Sequence, residues 1–227
     1  MPLPFLIIFK HHKHLARGQG EFIILLLLNE LMFIALEGID GSGKSTMARM
    51  LASELRSSGS DVFLTHEPTP LLELPADLIS RRDSEAAVDL FFRFTADRYR
   101  HQFEIEDALR EGKIVISDRY LLSSLAYQGP LLEGIFHDSR KAVDWMMSVS
   151  EIIRVRPDVN IYIDITADTA IKRIWRRKNI TGFEDLEYLE RVRTYYLGIL
   201  FQYLRIVPGS GNKEETLAGI LEVIRQL

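Results

Sequence analysis

Gly38-Ile39-Asp40-Gly41-Ser42-Gly43-Lys44-Ser45 is the stretch that most restricts what this chain can become. It fits Gly-x-x-x-x-Gly-Lys-Ser/Thr. Phe33-Ile34-Ala35-Leu36-Glu37 before it is a short apolar run that reads as a buried parallel strand, and Thr46-Met47-Ala48-Arg49-Met50-Leu51 after it reads as a helix. A tight strand-to-helix turn with a chance lysine does not account for every motif position together with both flanks. The glycines let backbone amides turn inward around a polyphosphate, and the helix N-terminus adds partial positive charge. Lys44 is then placed for the outer phosphate oxygens, and the Ser45 hydroxyl is a ligand for Mg²⁺.

Composition narrows the partners. Lysine and arginine number 28 against 32 aspartates and glutamates, a net charge of −4, which provides no polybasic footprint for nucleic acid and favours a small anionic ligand held by local cations. With no cysteine, disulfides and thiolate metal sites are excluded, which suits a reducing, cytoplasmic setting. The 227 residues are enough for one α/β domain with a continuous core.

Residues 1–31 precede the first strand and carry two apolar patches around His11-His12-Lys13-His14. Their longest apolar run, 22–28, is far short of the ~20 residues a membrane helix needs, and no small-residue cleavage site follows it. A soluble protein without a membrane partner is expected. The segment reads as an extension upstream of a true start at Met32, or else as a short membrane-surface or partner-binding arm, with its histidines solvated rather than metal-bound. Residues 32–227 form the single expected domain.

Along that domain, strands are expected at 33–37, 61–65, 113–117, 158–165 and 203–207. Helices are expected at 45–58, 84–111 (capped by Ser84 and stopped by Gly112), from about 123, 167–178, 183–196 and 213–227. Apolar strands alternating with helices predict a doubly wound, five-stranded parallel sheet with helices on both faces. Ligands sit at the carboxyl ends of such strands, and there stand Glu67-Pro68 and Asp118-Arg119-Tyr120. Asp118 can hold Mg²⁺ through water and Arg119 can neutralise phosphoryl oxygens, or the two form a local ion pair. Phe94 and Arg98 lie four apart on one helical face, fit to grip a flat, polar-edged ligand, although Phe94 alone also reads as core. Arg173, Arg176, Arg177 and Lys178 lead into a lid expected at about 175–185; the alternative is that they complement a helix C-terminus.

Taken in order, these motifs resemble those of thymidylate kinases, members of the P-loop nucleoside monophosphate kinases. The residues that carry the resemblance are the Phe33–Thr46 segment, Glu67-Pro68, Phe94-Thr95-Ala96-Asp97-Arg98 with His101, Asp118-Arg119-Tyr120 with Ser124 and Ala126-Tyr127-Gln128-Gly129, and Phe183-Glu184 before Leu189-Glu190-Arg191-Val192-Arg193. The resemblance implies transfer of the γ-phosphoryl group of ATP to dTMP, with Mg²⁺, in a homodimer. It implies an ATP site of Gly38, Ile39, Asp40, Gly41, Ser42, Gly43, Lys44, Ser45 and Thr46, and an acceptor site of Glu67, Phe94, Arg98, Arg119, Ser124, Tyr127 and Gln128. Phe94 would stack on the base, Arg98 bond its edge or the monophosphate, and Tyr127 crowd the 2′ position. Lys44, Asp40 and Arg119 would serve catalysis with the lid cations Arg176 and Arg177, because the loop carries no cation between Gly38 and Gly43; Glu184 matches a lid glutamate. The sequence departs from the family at Thr69-Pro70, at Thr181-Gly182, and at an acceptor-phosphate arginine for which Arg81 and Arg82 both qualify. A kinase of another nucleoside or nucleotide, and a non-catalytic nucleotide-binding module, share the loop and sheet. The 84–111 helix, with Val88, Phe91 and Phe92, is the expected dimer face.

Overall fold

The computed structural model describes residues 32–178 and 186–227. Expectations on residues 1–31 and 179–185, including Phe183 and Glu184, lie outside them, as do the side chains of Arg177 and Lys178.

The expected sheet is present: five parallel strands, β1 (Phe33–Glu37), β2 (Val62–His66), β3 (Ile114–Asp118), β4 (Val159–Asp164) and β5 (Arg205–Pro208), in the order β2-β3-β1-β4-β5. Side chains of a strand alternate between faces, so β1 splits the interior. Ile34 and Leu36 join Met47, Leu51 and Leu55 of helix α1 (Lys44–Ser57) and Ile220 of the last helix (Lys213–Arg225), whereas Phe33 and Ala35 pack into the larger core on the other face. All five β1 side chains are buried, as a central parallel strand covered on both faces requires.

Before β3 come two helices, the short α2 (Ala76–Ser80) and the long α3 (Ser84–Arg110). The α3 cap is Asp83 rather than Ser84: Asp83 is extended, at φ −117° and ψ 166°, and its side chain accepts from the Ala86 N–H. Helices α4 (Leu121–Phe136), α5 (Ser139–Val149), α6 (Ala167–Lys178) and α7 (Leu186–Leu197) follow, with Lys213–Arg225 as α8. Helices α2 and α5 were not expected from the sequence. Yet α5 carries its own signal, since Asp138 caps it by accepting from the Lys141 N–H and Ala142, Val143 and Met146 form its buried stripe.

After β3 the chain crosses from one side of β1 to the other, and the crevice at that crossover is where an open α/β sheet binds ligands. Among the described residues, no helix is long and apolar enough to cross a membrane.

Candidate active site

The loop between β1 and α1 begins the site. Gly41 has φ +80°, and a Cβ there would lie 2.5 Å from the Ala170 carbonyl oxygen, so both conformation and packing demand glycine. Gly43, at φ +102°, would bring a Cβ against nothing within 4 Å; conformation alone selects it, and the space beside it stays open. The Lys44 ammonium, 5 % exposed, donates to the Gly38 and Ile39 carbonyls at 2.9 Å each. Burial pulls its pKa down to about 8; Arg119 adds to the shift, while Asp40, Asp118 and Glu37 oppose it. The Ser42 hydroxyl and Asp118 Oδ1 are buried beside this loop and at the β3 tip without hydrogen-bond partners among the described residues. Ser45 is exposed at the start of α1. A buried ammonium, an open glycine face, a helix N-terminus and unspent hydroxyl and carboxylate oxygens fit a Mg²⁺-polyphosphate.

Arg119 links this loop to the rest of the site. It follows β3 directly, adopts φ 75°, and its N–H donates to the Leu36 carbonyl at 2.9 Å. Its guanidinium forms an ion pair with Asp40, donates to Ser123 Oγ at 3.2 Å, and lies 5.2 Å over the Tyr127 ring. Burial opposes its charge, but Asp40, Tyr127, Tyr196 and Asp118 together more than compensate and hold the pKa well above the usual guanidinium value. Beneath it, Glu37 is fully buried and accepts from Ser123 Oγ (2.6 Å), Tyr196 OH (2.9 Å) and the Tyr120 N–H (3.0 Å). Burial raises the Glu37 pKa, while these donors pull the other way.

A cavity of about 450 Å³ opens at the strand ends beside Arg119. Asp40, Glu67, Phe94 and Arg98 line it, as do Ser124, Tyr127 and Gln128, so the acceptor residues singled out in the sequence are brought together. Arg98, 2 % exposed, donates through Nε to Glu67 Oε2 at 2.6 Å and through Nη2 to Ser124 Oγ at 3.0 Å. Among the described residues its buried Nη1 has no partner, and neither does the buried Gln128 side-chain oxygen. The Tyr127 hydroxyl accepts from the Asp40 N–H at 2.8 Å; burial and then the Asp40 charge raise its pKa, keeping the phenol neutral. The Glu67–Pro68 peptide is cis, and the following loop is held to α3 by Asp97, which accepts from the Thr69 N–H at 2.7 Å and its hydroxyl at 2.6 Å.

Of the lid cations, Arg176 is exposed near the end of α6. Arg173 turns inward instead, donating to the Gly209 carbonyl at 2.9 Å and the Ser42 carbonyl at 3.4 Å, and so ties α6 to the loop and to the turn after β5. The two candidate phosphate arginines differ. Arg81 forks onto Asp83 and reaches Glu85, whereas the Arg82 guanidinium lies 4.5 Å over the Tyr188 ring in the cavity wall. Sequence reasoning missed Tyr188, whose spacing with Val192 and Tyr195 is that of an ordinary core stripe.

The dimer expectation needs one correction. Phe91 is fully buried against Trp145, with ring centroids 5.4 Å apart, so it belongs to the core. Phe92, Tyr99 and Phe103, respectively 48 %, 44 % and 50 % exposed, form the outward aromatic face of α3.

Residues 36–220 match the protein family described as thymidylate kinase. The chain is 45 % identical over 201 residues to a probable thymidylate kinase of Thermoplasma acidophilum, covering 86 % of this chain and 98 % of that protein. It is 38 % identical over 207 residues to a probable thymidylate kinase of Pyrococcus abyssi, covering 85 % and 95 %. A thymidylate kinase of Ruegeria pomeroyi is 36 % identical over 204 residues, with 85 % and 94 % covered.

Proposed function

The chain belongs to the thymidylate kinase family, and from that premise we propose that it transfers the γ-phosphoryl group of ATP to dTMP, giving dTDP and ADP. The acceptor reading is carried by two cavity-lining residues, Arg98 and Gln128, whose side chains each keep one buried polar atom without a hydrogen-bond partner among the described residues. Arg98 Nη1 is a donor and Gln128 Oε1 an acceptor. A thymine presents the complement, carbonyl O4 beside N3–H, whereas cytosine inverts both and would leave two buried groups unpaired. Phe94, half-buried in the same wall, is the proposed stacking surface.

Little covalent work falls to the protein in this reaction; alignment and charge neutralisation dominate. A phosphate oxygen of dTMP forms the new bond to the γ phosphorus while the β–γ bridging oxygen departs with ADP. Lys44 and the α1 N-terminus are proposed to hold the donor phosphates. Arg119, fixed between Asp40 and Ser123, faces the transferring group, with Arg176 and Arg177 as lid cations. Ser45, and Asp118 through water, would hold a Mg²⁺, which would supply charge neutralisation to the polyphosphate. Of the two acceptor-phosphate candidates we favour Arg82, because Arg81 is paired with two carboxylates whereas Arg82 donates through Nη1 to the neutral Ile79 and Arg81 carbonyls.

A coupled assay across dTMP, dUMP, UMP, dCMP and thymidine tests the assignment: dTMP is expected to have the highest kcat/KM, and preference for thymidine or UMP overturns it. The exposed aromatic face of α3 supports the proposed homodimer; light scattering is expected to give twice the chain mass at micromolar concentration. With nucleotides as both substrates and no cysteine in the sequence, the proposal places the enzyme in the cytoplasm.

A further inference from the structure

Arg98 is held by a run of side chains, buried except for the half-buried Thr65 at its end, that leads away from the cavity. Its Nε reaches Glu67 Oε2 at 2.6 Å, Glu67 Oε1 lies 3.1 Å from His101 Nδ1, and His101 Nε2 lies 2.7 Å from Thr65 Oγ1. His101 is 1 % exposed and Glu67 6 %, and neither His101 nor Thr65 lines the cavity. Because the Glu67 oxygen is an acceptor, His101 must carry a proton on Nδ1; with a neutral ring, Thr65 then donates to Nε2.

A carboxylate can take an arginine side-on, through Nε and one terminal nitrogen, or end-on, through both terminal nitrogens. Here the Glu67 oxygen facing Arg98 takes Nε, and the other oxygen is occupied by His101. We propose that His101, its Nδ1 proton fixed by the Glu67 oxygen and its ring braced by Thr65, is a positioning residue for acceptor-base selection: it stops the Glu67 carboxylate from rotating into the end-on fork and so leaves Arg98 Nη1 free for the carbonyl of the base. The proposal rests on the reading of Arg98 and Gln128 as the contacts to the base edge.

The test is steady-state kinetics with dTMP and dCMP on His101→Leu, His101→Asn, Thr65→Val and Thr65→Ser. His101→Leu is expected to raise the KM for dTMP about tenfold, to change kcat less than about twofold, and to lower the dTMP-to-dCMP ratio of kcat/KM about tenfold. His101→Asn, whose amide can still donate to Glu67, is expected to recover most of this. Thr65→Val should show a smaller shift of the same kind, about threefold, and Thr65→Ser none. Should His101→Leu fail to fold, Thr65→Val, with nearly the same shape as threonine, carries the test. Wild-type KM and ratio in the folded variants overturn the proposal, and so do equal losses for both acceptors accompanied by a lower Tm, which indicate packing alone. Arg98→Gln, measured alongside, separates the two levels. If it leaves the ratio intact, the base-edge reading fails; if it collapses the ratio while the His101 and Thr65 variants do not, only the positioning role fails.

Discussion

The proposed donor and acceptor halves of this site are built in opposite ways. On the donor side, Lys44 bonds carbonyls only five and six residues before it, and the whole loop lies between β1 and α1. On the acceptor side, Arg98 reaches Glu67 across 31 residues and Ser124 across 26, and Tyr127 reaches Asp40 across 87. The half that handles phosphate, common to every acceptor, is encoded in one stretch. The half that chooses the acceptor exists only once the strands have paired, so damage to the first should cost rate and damage to the second should cost selectivity.

Lys44→Ala gives the largest test of that division. Removing the buried ammonium is expected to lower kcat by about 10²- to 10³-fold, roughly 3–4 kcal/mol of transition-state stabilisation. The factor should be the same for dTMP and dCMP. An acceptor-dependent loss, measured with protein of unchanged circular dichroism, breaks the separation between the halves.

Tyr127→Ala probes the other half. Its ring stands in the cavity wall and its hydroxyl is held by the Asp40 N–H, so in the proposed pose a 2′ hydroxyl would pack against ring carbons that give it no hydrogen-bond partner. An unpaired buried hydroxyl costs about 1–3 kcal/mol, a preference of roughly ten- to a hundredfold for the deoxy acceptor. The mutation is expected to narrow that gap chiefly by improving the ribo analogue. An unchanged ratio of kcat/KM between the two sugars would mean that the tyrosine does not read them.

The pH profile sharpens the comparison further. Lys44 has its pKa lowered to about 8, so the free enzyme loses this charge as pH rises through 8, and kcat/KM for ATP should fall about tenfold per unit above it. Bound polyphosphate favours the ammonium, so the limb in kcat should lie at higher pH. The KM for dTMP is expected to stay flat across the same window. For stability the sign is opposite to that for activity: between pH 8 and the ordinary lysine value of 10.5 the unfolded chain binds more protons, so the destabilisation from burying Lys44 shrinks as pH rises. An ATP limb that persists in Lys44→Arg would assign the titration to another group.

The smallest expected effect lies outside both halves. Asn212 caps α8 in a capping box, accepting from the Glu215 N–H at 2.8 Å while Glu215 accepts from the Asn212 N–H at 3.3 Å. Asn212→Ala should cost about 1 kcal/mol and lower Tm by about 2–4 °C. Thermal melts should register this change while the order of acceptors stays as in wild type; a changed order would tie selectivity to global stability instead of to the cavity.

What the sequence by itself determined was everything carried by short-range physics. The glycine-bearing turn, the lysine, the five apolar strand segments and the long α3 helix all follow from local conformation and periodicity, and they fix a parallel α/β sheet with a phosphate loop at the end of its first strand. The α3 cap was misassigned by one residue because Asp83 and Ser84 are both good caps, and only the extended backbone at Asp83 decides between them. The outward aromatics of α3 were likewise misjudged at Phe91, since neighbouring Phe91 and Phe92 both touch Trp145 and are told apart only by the core that buries Phe91. Tertiary structure alone decided the strand order β2-β3-β1-β4-β5, the inward turn of Arg173, the commitment of Arg81 as against Arg82, and the run from Thr65 through His101 and Glu67 to Arg98. These depend on which polar groups lose water together and must find partners in one another. That is settled by chain segments far apart in sequence meeting in a low-dielectric interior, where an unpaired donor or acceptor is costly enough to dictate its neighbour.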